Sequence, residues 1–433
     1  RQALPDLPLA FLVTLSTWAA LVALLDDPRR QLDPRQRRAW LLLAGLAAAG
    51  AFLVKGPVGP ALVVLVVLPL LALDWRRHGA VLRVTAFDCA LACAAFLVVA
   101  LPWYVAMAAE HGLGYLERFF LAENLDRFTT DRYNAPRPAW YYLPIVAGGL
   151  LPWSPFMILW VRALRRARRD RTVDSRALRL AIWAGAPLAF YTLSVGKQPR
   201  YILPLLAPLA ILLARAMARA VEDSSPAARS LAAAGAAAGV MVVLIGGLLH
   251  RAQPLLLEWS APVTLSLSAA ISLAGTVIVV ASLAAWRHVP RARGIPALVA
   301  AAGVVMAVGV HVVVLATPGP APVERVAAML SATRVADEPY GRHRVFDRNL
   351  VYYTRTPHVE LPVHQAARDF LRSSGRVLCV LRAEDAARLR QEGVAFHRLG
   401  EVRYLNTGNL NLRTLLNPDP ELYLQRVVLV ANR

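Results

Sequence analysis

Ten long apolar runs occupy most of the first 316 residues of this 433-residue chain, and they constrain its fold more than any other feature. A helix needs about 20 mainly apolar residues to cross the hydrocarbon core of a bilayer, and most of the runs approach or exceed that length. They cover residues 7–25, 40–54, 57–73, 84–106, 141–161, 180–195, 201–219, 230–249, 262–286 and 296–316. Because 57% of all residues are hydrophobic, we predict a mainly α protein, a polytopic transmembrane helix bundle of about ten spans.

The composition becomes polar after the prolines at Pro318, Pro320 and Pro322. In the tail that follows, β-branched runs alternate with helix-like stretches, which is typical of a mixed α/β fold. The tail is long enough to bury a core of its own. We therefore predict two domains, a transmembrane bundle over 1–319 and a small soluble α/β domain over 320–433.

The basic residues are distributed unevenly over the loops that join the apolar runs. The chain carries 48 Lys and Arg against 28 Asp and Glu, a net charge of +20. Alternate loops of one group hold 22 basic residues and those of the other group hold 8. Basic residues concentrate in cytoplasmic loops, so the first group is predicted to be cytoplasmic and the segments 107–140, 196–200 and 320–433 non-cytoplasmic. Membrane lipids, and not nucleic acid, are the surroundings that this charge pattern favours.

The only two lysines of the chain lie in turns between apolar runs, on the predicted non-cytoplasmic side. Lys55 belongs to FLVKGPVG, where a Gly-Pro pair breaks the helix, and Lys197 belongs to SVGKQPRYILP, followed by Arg200 and Tyr201. A cation at such a break can bind an anionic headgroup. The alternative is a lysine that extends to the membrane interface without binding a specific ligand.

Further polar residues lie on the same predicted side. The string ENLDRF contains Glu123, Asn124 and Arg127, and Asp6 lies at the start of the first apolar run. An arginine that grips phosphate, together with acids, an amide and aromatic side chains, suits a site for phosphate and sugar. The aromatic residues also fit an ordinary interfacial belt, and Asp6 also fits a helix N-cap.

Neither the cysteines nor the histidines form a recognisable metal-binding motif. The three cysteines are too scattered for a disulfide framework. His111 lies beside Glu110, but no second histidine follows at metal-ligand spacing. No metal ligands are assigned and the cofactor is unknown, although a divalent metal ion is left open.

Four segments of the chain, within residues 5–214, resemble bacterial membrane glycosyltransferases of the protein-mannosyltransferase-like group, which includes the aminoarabinose transferase acting on lipid A. Their order and spacing also match. They are PDLPLAFLVTL, FLVKGPVGPALVVLVVLPLL, the stretch 101–153 with PWY, ENLDRF, WYYLP and LPW, and SVGKQPRYILPLLAPLAILLA.

The resemblance implies a GT-C-like fold in the bacterial inner membrane. It also implies transfer of a sugar, with inversion, from a polyprenyl-phosphate donor to a lipid, glycan or protein acceptor at the periplasmic face. By position in the motifs, Asp6 and Glu123 are then catalytic residues. The matching donor-binding residues are Lys55, Asn124, Arg127, Lys197, Arg200 and Tyr201.

Two departures and one expected gap accompany the resemblance. The lipid A enzymes carry His where this chain has Asn124, and the string 134–138 also differs from theirs, which favours the broader family over the lipid A enzyme. The chain begins with Arg1, so we expect a fragment whose missing upstream loop carries the family's principal catalytic aspartate. The alternative function is a transporter or flippase of a lipid-linked or anionic substrate, because charged groups within a membrane also mark substrate paths.

Overall fold

The computed structural model describes most of the chain. The described residues are 5–25, 32–78, 84–130, 136–171, 174–222, 225–255, 261–287, 289–316, 321–335, 338–346, 349–405 and 411–433. Residues 2–238 and 278–299 form one compact unit, and residues 239–277 and 300–433 form a second. The domain boundary predicted at residue 320 stays a prediction.

Helices account for nearly all of the described structure before residue 317. They are α1 (Asp6–Leu24), α2 (Pro34–Lys55), α3 (Val58–His78), α4 (Ala86–His111), α5 (Leu113–Glu117), α6 (Arg127–Thr129), α7 (Tyr142–Gly149), α8 (Met157–Arg169), α9 (Ser175–Leu193), α10 (Leu203–Glu222), α11 (Ser225–Arg251), α12 (Ala261–Arg287) and α13 (Ile295–Ala316). A π-helical segment covers Arg118–Asp126, and 3₁₀ turns cover Ala139–Tyr141, Ser154–Phe156, Pro199–Ile202, Gln253–Leu255 and Val289–Gly294. These helices account for the mainly α class predicted from the apolar runs.

Eight helices within the described residues are long and apolar enough to cross a membrane, or nine if a bent pair is counted as one span. The difference from about ten predicted spans arises at two runs. The run 141–161 is divided into α7 and α8, whose axes bend by 112°, because the prolines of the intervening LPWSP segment interrupt the helical hydrogen bonds. Helix α9 covers the predicted run 180–195 only as far as Leu193, and Arg176 and Arg179 shorten its apolar part.

Small side chains allow the first helices to pack closely. Ala19, Ala20 and Ala23 of α1 are buried, as are Ala44 and Ala51 of α2. Small residues at such contacts let helix backbones approach in a membrane, where dispersion contacts and not water exclusion drive association. The α1–α2 pair is further joined where the Ser16 hydroxyl donates to the carbonyl of Ala44 at 2.8 Å.

Ion pairs within residues 2–238 connect helix ends that the arginine pattern assigns to one side. These pairs are Arg38–Asp88 at 2.6 Å, Arg179–Asp74 at 2.6 Å and Arg215–Asp174 at 3.1 Å. All six residues belong to the predicted cytoplasmic loops or the helix turns beside them. The opposite helix ends, which carry Asp6, Lys55 and Arg200, contact one another. The contacts therefore separate the two groups of loops in the same way as the arginine counts.

The C-terminal region contains a five-stranded sheet in the order β2-β1-β3-β5-β4. The strands are β1 (Tyr340–Arg342), β2 (Val359–Glu360), β3 (Leu378–Arg382), β4 (His397–Leu405) and β5 (Leu424–Ala431), and the helices are α14 (Pro322–Thr333), α15 (Leu350–Thr354), α16 (His364–Leu371), α17 (Ala383–Gln391), α18 (Leu412–Leu416) and α19 (Pro420–Tyr423). Strand β1 is parallel to β2 and β3, whereas β5 is antiparallel to β3 and β4.

Helices cover both faces of this sheet. In β3, Leu378 and Val380 pack in a cluster with α14, whereas Cys379 and Leu381 pack in a second cluster with α16 and α17. Successive strand residues point to opposite faces, so a strand covered on both sides reads as a continuous apolar run. That burial explains why LCVL in this polar tail has no alternating polar positions.

Candidate functional site

A buried carboxylate joins three helix ends at the centre of the candidate site. Asp6 begins α1 and is only 3% exposed. Its Oδ1 accepts a hydrogen bond from the Lys55 ammonium at the end of α2, and its Oδ2 lies 3.0 Å from Nε of Arg200. Pro5 is the N-cap of α1 and Asp6 is its first helical residue, so Asp6 does not occupy the N-cap position. One carboxylate therefore holds two cations, and the three side chains together carry a net charge of +1.

Two tyrosines extend this cluster. The Lys55 ammonium lies 4.6 Å from the centre of the Tyr201 ring, within range of a cation–π interaction. The Tyr201 ring stacks on that of Tyr191, with 5.1 Å between ring centres. Both tyrosines are almost fully buried. The aromatic pair thus restricts the position of the Lys55 side chain, which is itself partly exposed.

The turn after Lys55 requires a glycine. Gly56 has φ of +67° and ψ of −152°, a backbone region that essentially only glycine occupies. A Cβ at this position would lie 3.0 Å from the Phe119 ring and 3.1 Å from Nδ2 of Asn124. The KG pair therefore ends α2 and allows the segment that contains Asn124 to approach the turn closely.

Glu123 and Asn124 lie on the π-helical segment Arg118–Asp126. Nδ2 of Asn124 donates to the carbonyl of Phe119 at 2.7 Å. Glu123, which directly precedes Asn124, is exposed. Such π-helical turns are uncommon and occur frequently at functional sites, because the wider turn redirects side chains away from the positions of a regular α-helix.

A cavity of about 660 Å³ lies beside these elements. Four of the predicted site residues line it, namely Lys55, Glu123, Asn124 and Tyr201. Much of the remaining wall is aromatic or aliphatic and comes from the π-helical segment, the start of α3 and the end of α9. The cavity thus combines one cationic corner with an extended apolar surface.

Lys197 and Arg127 are placed differently from the residues around Asp6. Lys197 is buried and donates to the carbonyls of Arg137, at 3.1 Å, and of Ser194. Burial lowers the pKa of its ammonium group. Ser194, whose carbonyl accepts one of these hydrogen bonds, lines the cavity. Arg127 begins the short helix α6, and its side chain lies outside the described residues. A phosphate site shared by Lys55, Arg127 and Lys197 stays a prediction.

Several lining residues were not identified from the sequence. These are Phe119, Phe120, Phe190, Tyr191 and Ser194. The signal for them was the pairing of aromatic doublets with the polar motifs: Phe119 and Phe120 precede ENLDRF, and Phe190 and Tyr191 precede SVGKQPRY. Among the described residues, no group of three metal-ligating side chains lines this cavity.

The described helices and the cavity define a polytopic membrane protein with a cationic site at one end of its helix bundle. A family model for dolichyl-phosphate-mannose-protein mannosyltransferase matches residues 1–111, which include Asp6, Lys55 and the KG turn. The predicted resemblance is confirmed: the chain is similar to the protein-mannosyltransferase and aminoarabinose transferase group.

Relatives that share one protein name with each other occur in several bacteria. The undecaprenyl phosphate-α-4-amino-4-deoxy-L-arabinose arabinosyl transferase of Pseudomonas aeruginosa strain LESB58 is 42% identical over 189 residues, which is 43% of this chain and 33% of the relative. The protein of that name from Erwinia tasmaniensis is 35% identical over 205 residues, or 47% of this chain and 35% of the relative. The chain thus spans about a third of the length of these relatives.

Two solved structures of ArnT from Cupriavidus metallidurans resemble the fold. The form bound to undecaprenyl phosphate has a TM-score of 0.63 and 22% identity, and the apo form has a TM-score of 0.65 and 21% identity. Each alignment covers 99% of this chain and 74% of the other. The likeness confirms the predicted fold class, a GT-C-like transmembrane helix bundle with a small C-terminal α/β region.

Proposed function

We propose that this protein transfers a sugar from a polyprenyl-phosphate donor to a lipid, glycan or protein acceptor, with undecaprenyl phosphate-linked aminopentose as the first donor to test. The observation that carries the proposal is the Asp6–Lys55–Arg200 cluster beside the 660 Å³ cavity. The names of the relatives, which are arabinosyl transferases acting on a polyprenyl-phosphate sugar, support the same activity.

The cavity suits both parts of such a donor. Its aromatic and aliphatic wall matches an isoprenoid chain, since ligand pockets are largely apolar with a few polar groups that set the orientation of the ligand. Lys55 supplies a positive charge at the edge of this wall. An ammonium group held in place at the edge of a pocket attracts an anionic phosphate electrostatically.

In the proposed reaction, an acceptor hydroxyl attacks the anomeric carbon of the sugar. The new bond joins the acceptor oxygen to that carbon, and the bond from the carbon to the phosphate oxygen breaks. The leaving group is polyprenyl phosphate, whose growing negative charge Lys55 stabilises from a preorganised position. Glu123, exposed on the cavity wall, accepts the hydroxyl proton as general base. One displacement on the face opposite the phosphate inverts the anomeric centre.

The predicted assignment of Asp6 to the catalytic site is kept in this scheme, with Asp6 acting through the cations that it positions. Both of its oxygens contact cations, so it orients Lys55 and Arg200 and limits their mutual repulsion. Asn124 and Tyr201 shape the wall around Lys55. Arg127 and Lys197 remain proposed donor-binding residues, because they match cationic positions of the resembled family.

The transporter alternative has no specific support among the described residues. Transporters of this kind are commonly built from repeats that place broken helices in corresponding positions. The comparisons instead relate the chain to transferases.

A transfer assay tests the proposed function. With the full-length protein in native membranes, undecaprenyl phosphate-α-4-amino-4-deoxy-L-arabinose and lipid A, we expect release of undecaprenyl phosphate and mass-spectrometric detection of modified lipid A. If that donor is inert, a panel of other undecaprenyl phosphate-linked sugars is assayed for the same release. No release from any of them would refute the proposal, and movement of an intact donor across the bilayer would establish the transporter alternative.

The proposed orientation places the Asp6 end of the bundle, and the tail beyond residue 320, in the periplasm of the bacterial inner membrane. The positive-inside rule supports this assignment, because the arginine-rich loops belong to the opposite helix ends. Donor and acceptor would then meet outside the cytoplasm.

Labelling with a membrane-impermeant thiol reagent tests this orientation. Replacing the two exposed native cysteines, Cys89 and Cys93, by Ala leaves the buried Cys379. In that background we expect Gly114→Cys and Gly375→Cys to react in intact spheroplasts, since no atom crowds either position. Arg168→Cys, in the arginine-rich end of α8, should react only after permeabilisation. The reverse pattern would overturn the orientation.

A further inference from the structure

Three potential metal ligands converge in the C-terminal sheet region. His343, His364 and Asp385 each offer a ligand atom, and these atoms lie within 4.8 Å of one another. His343 is completely buried, and the side chains of His364 and Asp385 are 23% and 14% exposed. The convergence comes from three separate parts of the sequence, so local chain geometry does not explain it.

The topology of the sheet brings these residues together. His343 directly follows β1, His364 begins α16 after β2, and Asp385 lies in the first turn of α17 after β3. Strands β2, β1 and β3 are adjacent and parallel, so their carboxyl ends lie at the same edge. Strand β2 lies on one side of β1 and strand β3 lies on the other, so the direction in which the chain moves across the sheet reverses after β2. Open α/β sheets bind ligands in the crevice at the carboxyl ends of the strands where this direction reverses.

Each histidine is oriented by a hydrogen bond to its other ring nitrogen. Nδ1 of His343 lies 2.6 Å from the carbonyl of Leu361, and because a carbonyl only accepts, Nδ1 carries the proton and Nε2 has a free lone pair. Nε2 of His364 lies 3.0 Å from the Glu392 carboxylate, which leaves the lone pair on Nδ1. Metal-binding histidines typically donate their second N–H to a carbonyl or carboxylate in this way.

The remaining polar atoms of the three residues lack hydrogen-bond partners within the described part of the chain. They are Nε2 of His343, Nδ1 of His364 and Oδ2 of Asp385, and all three are buried. Nε2 of His343 lies 3.9 Å from Oδ2 of Asp385, too far for a hydrogen bond. Buried polar atoms without partners are costly, and one cation at their centre would satisfy all three.

We propose that His343, His364 and Asp385 bind a divalent transition-metal ion of the zinc class. Two imidazoles and one carboxylate are a donor set that zinc accepts, with a fourth position left for water or another ligand. Bonds of about 2.0–2.1 Å to a tetrahedral ion separate neighbouring ligand atoms by roughly 3.4 Å. The 3.9 Å between His343 and Asp385 therefore needs to close by about half an ångström, and any pair at the 4.8 Å limit by about 1.4 Å, which side-chain rotations can supply. The site shares no residue with the proposed transfer site.

Metal content and affinity test the proposal on the full-length protein. After loading with Zn²⁺ and dialysis, the unaltered protein should retain one equivalent more than His364→Ala or Asp385→Ala, as measured by elemental mass spectrometry. In competition with a chromophoric chelator, we expect those substitutions to weaken Zn²⁺ binding at least about 100-fold, and Glu392→Gln to weaken it about 10- to 100-fold through loss of the bond to His364.

His397→Ala is the matched control, because His397 is an exposed histidine on β4 of the same sheet, and its Zn²⁺ content should be unchanged. Co²⁺ added to the unaltered protein gives a readout that does not depend on the folding of any variant. It should produce the visible absorption of a low-symmetry site with nitrogen and oxygen ligands. Equal Zn²⁺ retention by all variants, or absence of that Co²⁺ spectrum, would overturn the assignment.

Discussion

Lys55→Met is expected to lower the rate of sugar transfer by about 10²- to 10³-fold, the loss typical of removing one preorganised donor to a developing oxyanion. The ammonium group lines the cavity and is held by Asp6 and the Tyr201 ring, so its position does not need to be organised during the reaction. Methionine keeps much of the length and apolar character of the side chain and removes the charge. The measurement is release of undecaprenyl phosphate per molecule of inserted protein.

Arg38→Met is the matched control for this substitution. Arg38 belongs to the same helix α2 and also pairs with an aspartate, Asp88, but at the opposite helix end. Its side chain is 43% exposed, and loss of such a pair costs little. We expect nearly normal transfer from Arg38→Met. If Lys55→Met retained a similar rate, Lys55 would not stabilise the leaving phosphate, and a lysine extending to the membrane interface would be the better description.

Asp6→Ala should destabilise the bundle by about 3 to 5 kcal/mol, the range for removing one partner of a buried ion pair. The substitution leaves Lys55 and Arg200 close together without the carboxylate that both contact. The value should fall toward the lower end, because 37% of the Arg200 side chain is exposed and water can solvate it. Thermal unfolding of the solubilised protein provides the measurement.

A double substitution separates electrostatics from lost packing. Adding Lys55→Met to Asp6→Ala removes one of the two cations that have lost the Asp6 carboxylate, so the double variant should be more stable than Asp6→Ala alone. Coupling of this kind is expected for residues in direct contact. Strictly additive losses would show that Asp6 acts through its packing alone, and the ion cluster would then not organise the site.

The helical class of this protein was readable from the sequence because the bilayer imposes it. Only helices and closed barrels satisfy every backbone polar group in hydrocarbon, so apolar runs near 20 residues translate directly into helices. The arginine pattern likewise sorted the loops, and the ion pairs at the two ends of the bundle agree with that sorting. The run 141–161 was harder to interpret, because hydropathy does not register a bend of 112°.

The candidate site was only partly predictable. The lone lysines, the helix-breaking turns and the ENLDRF string pointed to Lys55, Glu123 and Asn124, since each motif is local in sequence. That Asp6 would hold both Lys55 and Arg200 was not visible, because these residues are far apart in the sequence and meet only when α1, α2 and the 3₁₀ turn before α10 pack together. The aromatic residues of the cavity wall likewise come from segments that are distant in the sequence and meet only through helix packing.

The sequence by itself determined the elements of this protein: its membrane helices, the turns at Gly56 and Pro199, the α/β character of the tail and the chemical types of the polar residues. These properties depend on hydrophobic length, backbone restrictions and side-chain chemistry, which act over a few residues. Tertiary structure alone decided which distant groups converge. The Asp6 cluster depends on helix packing, and the meeting of His343, His364 and Asp385 depends on the order of parallel strands, since both are set by contacts between segments far apart in the chain.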